Sequence, residues 1–469
     1  MTVELRPKQA ALRDAVREAM RTHKSVLMQA PCAFGKTFIL SDIVNRAYAK
    51  GNRVIFGVHR KELIQQTAAT FDKYGFPYSF IAPGRQCDPR AQVYIASIPT
   101  LRNRLGKFPT DVLLVDEAHL SMADGWHRTI LHYRQSGAWI IGCSASPQRL
   151  DGKGLHANFD YLVPGSQVRE AIEDGSLCGY RLFAPFRPDT SGLHILAGDF
   201  RKDEAEGLMN KASITGNAVS HWLSHASGKR TVAYCVSREH SKAVAASFRD
   251  RGVSAFHVDG ETHDEVRSGA LRDLADGKLQ VVTNCQLFTE GVDLGALAGR
   301  DVTIECVVNL RPTQSLALWT QICGRAFRPK SEPAIILDHA GVSLTLGLPD
   351  EPRQWSLDGE VKKSKPKAPS VRVCPSCWRA LPSATRECPA PCGHIFAVES
   401  RTIRELDGEL AELTAEEFER RQQRRAEGFE RYQSQTLDQL RAFAKKKNYK
   451  PGWAERVYAA RLAKKLASP

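Results

Sequence analysis

Long apolar runs are missing from this chain: none approaches the roughly 18 residues that a membrane-spanning helix requires. The opening Met1-Thr2-Val3-Glu4-Leu5-Arg6 has neither the basic start nor the apolar stretch of a secretory leader. A cytoplasmic protein with no membrane partner is the expectation. An excess of acid is missing too, since 66 Lys and Arg outnumber 52 Asp and Glu for a net charge of +14. That balance favours polyanionic partners, and nucleic acid is the usual one. Of 12 cysteines, eight are scattered (Cys32, Cys87, Cys143, Cys178, Cys235, Cys285, Cys306 and Cys323), several in apolar strand-like runs. In a cytoplasm these read as buried free thiols and not as disulfides.

What is present is an ordinary globular composition, with 42% hydrophobic and 25% charged residues, and 469 residues are enough for two or three domains. Short β-branched runs at Val26–Gln29, Val54–Val58, Val93–Ala96, Val112–Val115 and Ile140–Cys143 alternate with amphipathic stretches such as Phe38–Lys50 and Lys61–Tyr74. The same alternation returns at Thr231–Val236, Ala255–Val258, Leu279–Thr283, Val302–Asn309 and Ala334–Leu337. It predicts an α/β fold with two tandem parallel-sheet domains, helices covering both faces of each sheet. The expected boundaries are 1–163 for the first domain, 164–215 for a connector and 216–345 for the second domain. A basic linker follows at 346–370, where Lys362-Lys363-Ser364-Lys365-Pro366-Lys367 lacks any apolar period. A cysteine-rich segment at 371–400 and a helical basic tail at 401–469 complete the chain.

Three strings in fixed order carry chemistry. The first, Ala30-Pro31-Cys32-Ala33-Phe34-Gly35-Lys36-Thr37, follows a predicted strand and precedes a predicted helix, the context of a phosphate-cradling loop. Backbone N–H groups and the helix N-terminus would hold the phosphates of ATP. Lys36 is placed to reach the β- and γ-phosphates and Thr37 to ligate Mg2+. The usual first glycine is absent, replaced by Ala30, and Ala33 stands where many such loops carry a second; either restricts the backbone.

The second string, Asp116-Glu117-Ala118-His119, emerges from the apolar run Val112–Val115, about 80 residues after the loop. Asp116 would hold Mg2+ and Glu117 would polarise the attacking water. In the third, Gln321-Ile322-Cys323-Gly324-Arg325-Ala326-Phe327-Arg328, the residues Gln321, Arg325 and Arg328 have helical spacing, so one helix face is expected to present all three. Arginines reaching the γ-phosphate from a second domain stabilise transition-state charge by ~10³–10⁵ in rate.

With these strings on the page, residues 1 to about 340 resemble a superfamily 2 helicase of the DEAH type, with tandem RecA-like domains. Leu5-Arg6-Pro7-Lys8-Gln9 is similar to the family's adenine-reading element, which implies Arg6 and Gln9 at the base, with Ala33, Phe34 and Gly35 in the loop. Val58-His59-Arg60-Lys61 and Ala96-Ser97-Ile98-Pro99-Thr100 resemble motifs Ia and Ib, which implies backbone contacts to nucleic acid from His59, Arg60, Ser97 and Thr100. Ser144-Ala145-Ser146-Pro147 resembles the Ser-Ala-Thr motif, implying that Ser144, Ala145 and Ser146, with His119, couple the ATP site to the strand-binding face. Its continuation Gln148-Arg149-Leu150-Asp151-Gly152-Lys153 is similar to the branch containing XPB and the bacterial repair helicase RadD. Ser237 and Arg238 fall in a motif IV resemblance, which implies nucleic-acid contacts from both; Thr289, Gly291 and Asp293 fall in one to motif V, with Thr289 on nucleic acid and the other two at ATP.

Cys374-Pro375-Ser376-Cys377 and Cys388-Pro389-Ala390-Pro391-Cys392 lie within nineteen residues as C-x₂-C-x₁₀-C-x₃-C. Two thiolate knuckles suit a closed tetrahedral Zn2+ site. His394 is the alternative fourth ligand, and four thiolates the simpler set.

In the tail, nine Lys and Arg and one Glu lie between Arg441 and Pro469, interleaved with Phe443, Tyr449, Trp453 and Tyr458. Such aromatics either stack bases or form the core of a small helical pair. The expected activity is an ATP-dependent DNA helicase or translocase serving repair, recombination or replication, with DNA favoured over RNA. An RNA helicase, a double-strand translocase that separates nothing, and a catalytically weak binding module are the alternatives. The C-terminal region is a further expected docking point for a single-strand-binding protein or replication and repair proteins. Phage encoding is also implied by the resemblance of the tail.

Overall fold

The computed structural model describes residues 4–147, 154–184, 188–196, 199–209, 212–285, 287–288, 294–359, 370–396, 436–446, 449 and 451–466. Outside the described residues lie Thr289, Gly291 and Asp293, the Gln148–Lys153 continuation, the Lys362–Lys367 linker and the charged stretch 416–425. Among the described residues, no helix is long and apolar enough to cross a membrane.

The first sheet holds β1 (Ser25–Gln29), β2 (Val54–Val58), β3 (Ser79–Ile81), β4 (Val93–Ser97), β5 (Val112–Val115), β6 (Trp139–Ser144) and β7 (Tyr161–Val163). Their order is β3-β4-β2-β5-β6-β1-β7, and every pairing is parallel. β1, β2 and β5 are buried at every residue, which is why they read as unbroken apolar runs: helices cover both faces. Register aligns the strands' ends, with Gln29 opposite Ser144 and Gly57 opposite Val115. The phosphate loop, Ser144, Asp116, His59 and Ser97 therefore leave one edge of the sheet side by side.

β3 and β7 escaped the sequence reading because each has three residues and sits at a sheet edge. Tyr161, half-exposed there, breaks the apolar pattern of β7.

Residues 180–183 form β8 (Tyr180–Phe183), and a small antiparallel pair follows, β9 (Ile195–Leu196) and β10 (Asp199–Phe200). The second sheet adds β11 (Thr231–Tyr234), β12 (Ala255–Val258), β13 (Val281–Asn284), β14 (Cys306–Asn309) and β15 (Ala334–Asp338) in the order β12-β13-β11-β14-β15-β8. The 164–215 stretch, read as a connector, thus supplies an edge strand of the second sheet, where β8 runs parallel to β15.

The first knuckle lies in the turn of a hairpin of β16 (Val371–Val373) and β17 (Ala380–Pro382), and the second follows it. This module does not stand apart. Phe183 of β8 bridges Arg379, Ala184 N–H donates to the Trp378 carbonyl (3.0 Å), and Val371 and Ala380 join the main hydrophobic core.

The described residues from 436 onward belong to a second compact unit. In it, helices Leu437–Lys446 and Trp453–Leu466 pair around Leu440, Phe443 and Ala454. Tyr449 stacks on Trp453 at 4.6 Å and Phe443 lies 5.9 Å from Trp453, so these rings meet one another as a helical-pair core.

Candidate ATP site and metal centre

Gly35 precedes helix Lys36–Ala49 at φ +90°, a left-handed conformation that glycine adopts freely. A Cβ there would sit 2.5 Å from Gln9 Nε2, so a side chain would displace the Gln9 amide. Ala33 holds a left-handed φ of +62°, whereas Ala30 is fully buried and is not among the positive-φ residues. One of the two lost glycines is thus replaced without strain and the other with it.

Helix Pro7–Ala19 pins the loop from outside. Gln9 Nε2 and Arg6 Nη2 both donate to the Phe34 carbonyl at 2.7 Å, and Arg6 N–H donates to Gln9 Oε1 at 2.9 Å. Lys36 Nζ lies 3.5 Å from the Pro31 carbonyl.

Asp116 and Glu117 are 5% and 4% exposed at the end of β5. Burial first, then the Glu117 charge, pushes the Asp116 acid well above the ordinary carboxylate range. Glu117 is itself left-handed (φ +50°), and its Oε2 accepts no hydrogen bond although His119 Nδ1 is 3.3 Å away. A buried pair of adjacent carboxylates beside the Lys36 and Thr37 loop fits a divalent cation. Thr37 and Asp116 would hold Mg2+, which when bound neutralises phosphate charge. Of the three left-handed non-glycine residues among those described, Ala33 and Glu117 lie in this cleft and Trp378 follows the first cysteine knuckle. Strain collects where function is expected.

From β6, Ser144 Oγ donates to the Ser146 carbonyl (2.9 Å) and lies 3.1 Å from His119 Nδ1. Ala145 offers its carbonyl to Gln29 Nε2. Ser146 Oγ lies 3.3 Å from Thr320 Oγ1 in the second domain. A polar chain therefore runs from Glu117 through His119, Ser144 and Ser146 to Thr320. Thr320, 174 residues from its partner, carried no signal in the sequence.

Facing the loop, helix Leu316–Gly324 ends at Gly324. This corrects the expectation of one helical face for Gln321, Arg325 and Arg328. Beyond Gly324 the chain tightens into turns, Ala326 N–H reaching Cys323 O and Phe327 N–H reaching Gly324 O. All three side chains nonetheless line one 890 Å³ cavity with Gln9, Lys36, Thr37, Asp116 and Glu117. Arg325 Nε donates to the Phe288 carbonyl (3.1 Å), and Arg328 Nη1 pairs with Asp301 (3.0 Å). Burial raises the Cys32 thiol pKa despite the Lys36 and Arg325 charges, which disfavours its thiolate.

The residues expected at nucleic acid are dispersed. Arg60 Nη1 lies 3.5 Å from the Leu287 carbonyl across the domain cleft, and the His59 charge reaches Asp116. Ser97 and Thr100 lie at the start of helix Ile98–Arg102. Ser237 caps helix Arg238–Asp250 by accepting from His240 N–H, and Arg238 pairs with Glu261 and Asp259.

In the cysteine module, Cys374 and Cys392 Sγ lie 3.7 Å apart and Cys377 and Cys388 Sγ 3.6 Å apart, all four sulfurs falling within 4.8 Å of one another. A tetrahedron with Zn–S bonds of about 2.3 Å has edges of about 3.8 Å. The set fits Zn2+. His394 Nδ1 lies 3.1 Å from Ser376 Oγ and is not part of the cluster.

Residues 2–149 match the family described as type III restriction enzyme, res subunit, and residues 214–330 match the helicase conserved C-terminal domain. A 51.5 kDa protein of Lactococcus phage (isolate 7-9) is 30% identical over 380 residues, 80% of this chain and 79% of that one. IRC3 of Saccharomyces cerevisiae, named as a candidate ATP-dependent helicase, is 31% identical over 66% of this chain, which spans 47% of that protein. In fold, 71% of the chain matches 28% of the DNA-bound, ATP-dependent type ISP restriction-modification enzyme LlaBIII (TM-score 0.54, 14% identity). A further 72% match covers 85% of S. cerevisiae Dbp5 bound to RNA and ADP BeF3 (TM-score 0.50, 14% identity). Two parallel RecA-like sheets, the site between them and these matches agree: the chain belongs to the superfamily 2 helicases, an ATP-dependent enzyme family.

Proposed function

We propose that this chain hydrolyses ATP to move along DNA, as a translocase or strand-separating helicase of the DEAH type in the RadD/XPB-like branch. The observation that carries the reading is the 890 Å³ cavity, where Lys36, Thr37, Asp116 and Glu117 of one domain face Gln321, Arg325 and Arg328 of the other. Hydrolysis at such an interface couples chemistry to domain movement. Closure brings the arginines to the transferring phosphoryl group, and release lets the domains part. In this reading Glu117 orients the attacking water, supported by the contacts through His119 and Ser144 that run from that carboxylate towards Thr320 in the second domain.

The track is nucleic acid, held largely by its phosphates, so binding is sequence-tolerant and weakens with salt. A net charge of +14 supports this, as does a tail rich in Lys and Arg. DNA is favoured over RNA by the resemblance around Ser144–Lys153. A cytoplasmic location, a role in repair, recombination or replication, and docking of a single-strand-binding protein on the C-terminal region complete the proposal.

The test is ATP turnover of the full chain alone, then with single-stranded DNA, duplex DNA or RNA, beside Glu117→Gln. Strong stimulation by DNA, lost in the variant, is expected. Stimulation by RNA alone reassigns the track, and flat turnover with every polymer overturns the motor.

A further inference from the structure

Trp378, the residue after the second cysteine of the first knuckle, holds a left-handed backbone (φ +61°). That conformation is costly for a bulky side chain and free for glycine. Packing of the ring does not repay it. The indole is 45% exposed and has no hydrogen-bond, ring or cation partner among the described residues. The backbone is fixed on both sides, since Trp378 N–H donates to the Cys374 carbonyl (2.9 Å) and the Trp378 carbonyl accepts from Ala184 N–H (3.0 Å). An apolar ring thus stands in solvent on a rigid support, in a strained position that a functional role would explain.

Its place in the fold narrows that role. β8 is the edge strand of the second sheet, and register aligns its end with the ends of β15, β14 and β11. Ser237, which the motif IV resemblance puts on nucleic acid, leaves the same end of the sheet just after β11. Three strand spacings separate β11 from β8, about 14 Å in all, a gap that a few nucleotides span. Arg379 follows Trp378 directly, and the Arg386 carbonyl accepts from Phe396 N–H in the second knuckle. Neither guanidinium has a hydrogen-bond or ion-pair partner among the described residues.

We propose that Trp378 is a stacking platform for an unpaired base of the strand that the motor holds, with Arg379 and Arg386 serving the flanking phosphates. This rests on the nucleic-acid motor reading and adds a base-stacking subsite outside the two α/β domains. Size decides the occupant. Every base has a π-face, and one exposed ring is enough to stack it. A protein partner needs about 800 Å² on its side, whereas Trp378 and Ile395 are the only large apolar side chains exposed among the module's described residues.

The test measures binding of the full-length wild type, Trp378→Gly and Trp378→Tyr to fluorescent oligo-dT and oligo-U, beside zinc content and thermal midpoint. Glycine relieves the left-handed backbone, so Trp378→Gly is expected to keep its Zn2+ and to melt no lower than wild type. It should bind the single strand about 5- to 100-fold more weakly, while Trp378→Tyr stays within about threefold. The oligomer whose binding falls in this way identifies the strand as DNA or RNA. Undiminished binding in Trp378→Gly overturns the platform, and an equal loss in Trp378→Tyr does so too. If Trp378→Gly loses zinc, photocross-linking of wild type to an iodouracil-bearing oligomer decides: a cross-link at Trp378 supports the platform, and cross-links confined to other residues overturn it. Wild-type ATP turnover is read separately, and turnover unmoved by either oligomer sinks the motor without touching the stacking result.

Discussion

Cys32 and Gly324 meet across the domain interface with no room for a side chain on the second: a Cβ on Gly324 would lie 2.2 Å from Cys32 Cβ. One belongs to the phosphate loop. The other ends the helix that leads into Arg325. Glycine is therefore required by close approach and not by backbone angle, and the contact sets how far the arginines can advance on the phosphates.

Gly324→Ala should hold the domains apart by a fraction of an ångström or more. Turnover should fall on the order of tenfold to a hundredfold, because misplacement of about 1 Å at a reacting centre costs that much. ATP binding, carried by the first domain, should change little. Cys32→Gly removes the opposing Cβ, so the double variant should recover much of the lost turnover. Additive losses in that cycle would refute the steric account.

The two alanines of the phosphate loop should respond oppositely to the same change. Ala33→Gly relieves a left-handed alanine, roughly 1–2 kcal/mol, against about 0.4–1 kcal/mol of added unfolded-chain freedom. The result is near-neutral or slightly stabilising. At Ala30, with no left-handed strain to relieve, glycine adds the same freedom and deletes a buried methyl, for a loss of roughly 1–2 kcal/mol. Urea midpoints of the two variants would measure this, and equal shifts would contradict the assigned backbone of Ala33.

Much of this site was legible because parallel strands bury both faces and place their chemistry where they stop. The runs Val54–Val58 and Val112–Val115 are observed as predicted, and His59 and Asp116 follow them. Contacts between domains were not legible. Ser146–Thr320 and Cys32–Gly324 join residues far apart in sequence, and neither Thr320 nor Cys32 has a distinctive residue type. The helical spacing of Arg328 was misleading, since periodicity cannot register the turn that begins after Gly324. Short elements were lost for the opposite reason. β9 and β10 have two residues each, too few for any period to show.

Asp116 gives the metal-free protein a defined pH response. Its acid is raised by burial and by Glu117, so the folded state binds this proton more tightly than the unfolded chain. The associated stability is fully present below the unfolded value of about 3.9 and is lost as pH rises through the raised folded value. Without Mg2+, Asp116→Asn should therefore be more stable than wild type at neutral pH, the difference shrinking towards pH 4. Adding Mg2+ should stabilise wild type and not the variant. Thermal melts at several pH values measure both, and a variant less stable than wild type at neutral pH without Mg2+ would contradict the assignment.

Zinc removal should reach beyond the cysteine module. Metal-binding energy is folding energy in such small segments, so the full chain should hold one Zn2+, and Cys388→Ser should lose it. Because Arg379 bridges Phe183 and Trp378 accepts from Ala184 N–H, loss of the ion should also loosen β8 at the edge of the second sheet. Hydrogen exchange should quicken in Val371–Val373, Ala380–Pro382 and Tyr180–Phe183, while β1 and β5, buried in the first sheet, keep their protection. If β8 stays protected in the zinc-free protein, the Arg379 and Trp378 contacts do not stabilise the sheet edge, and the module is only tethered to the motor.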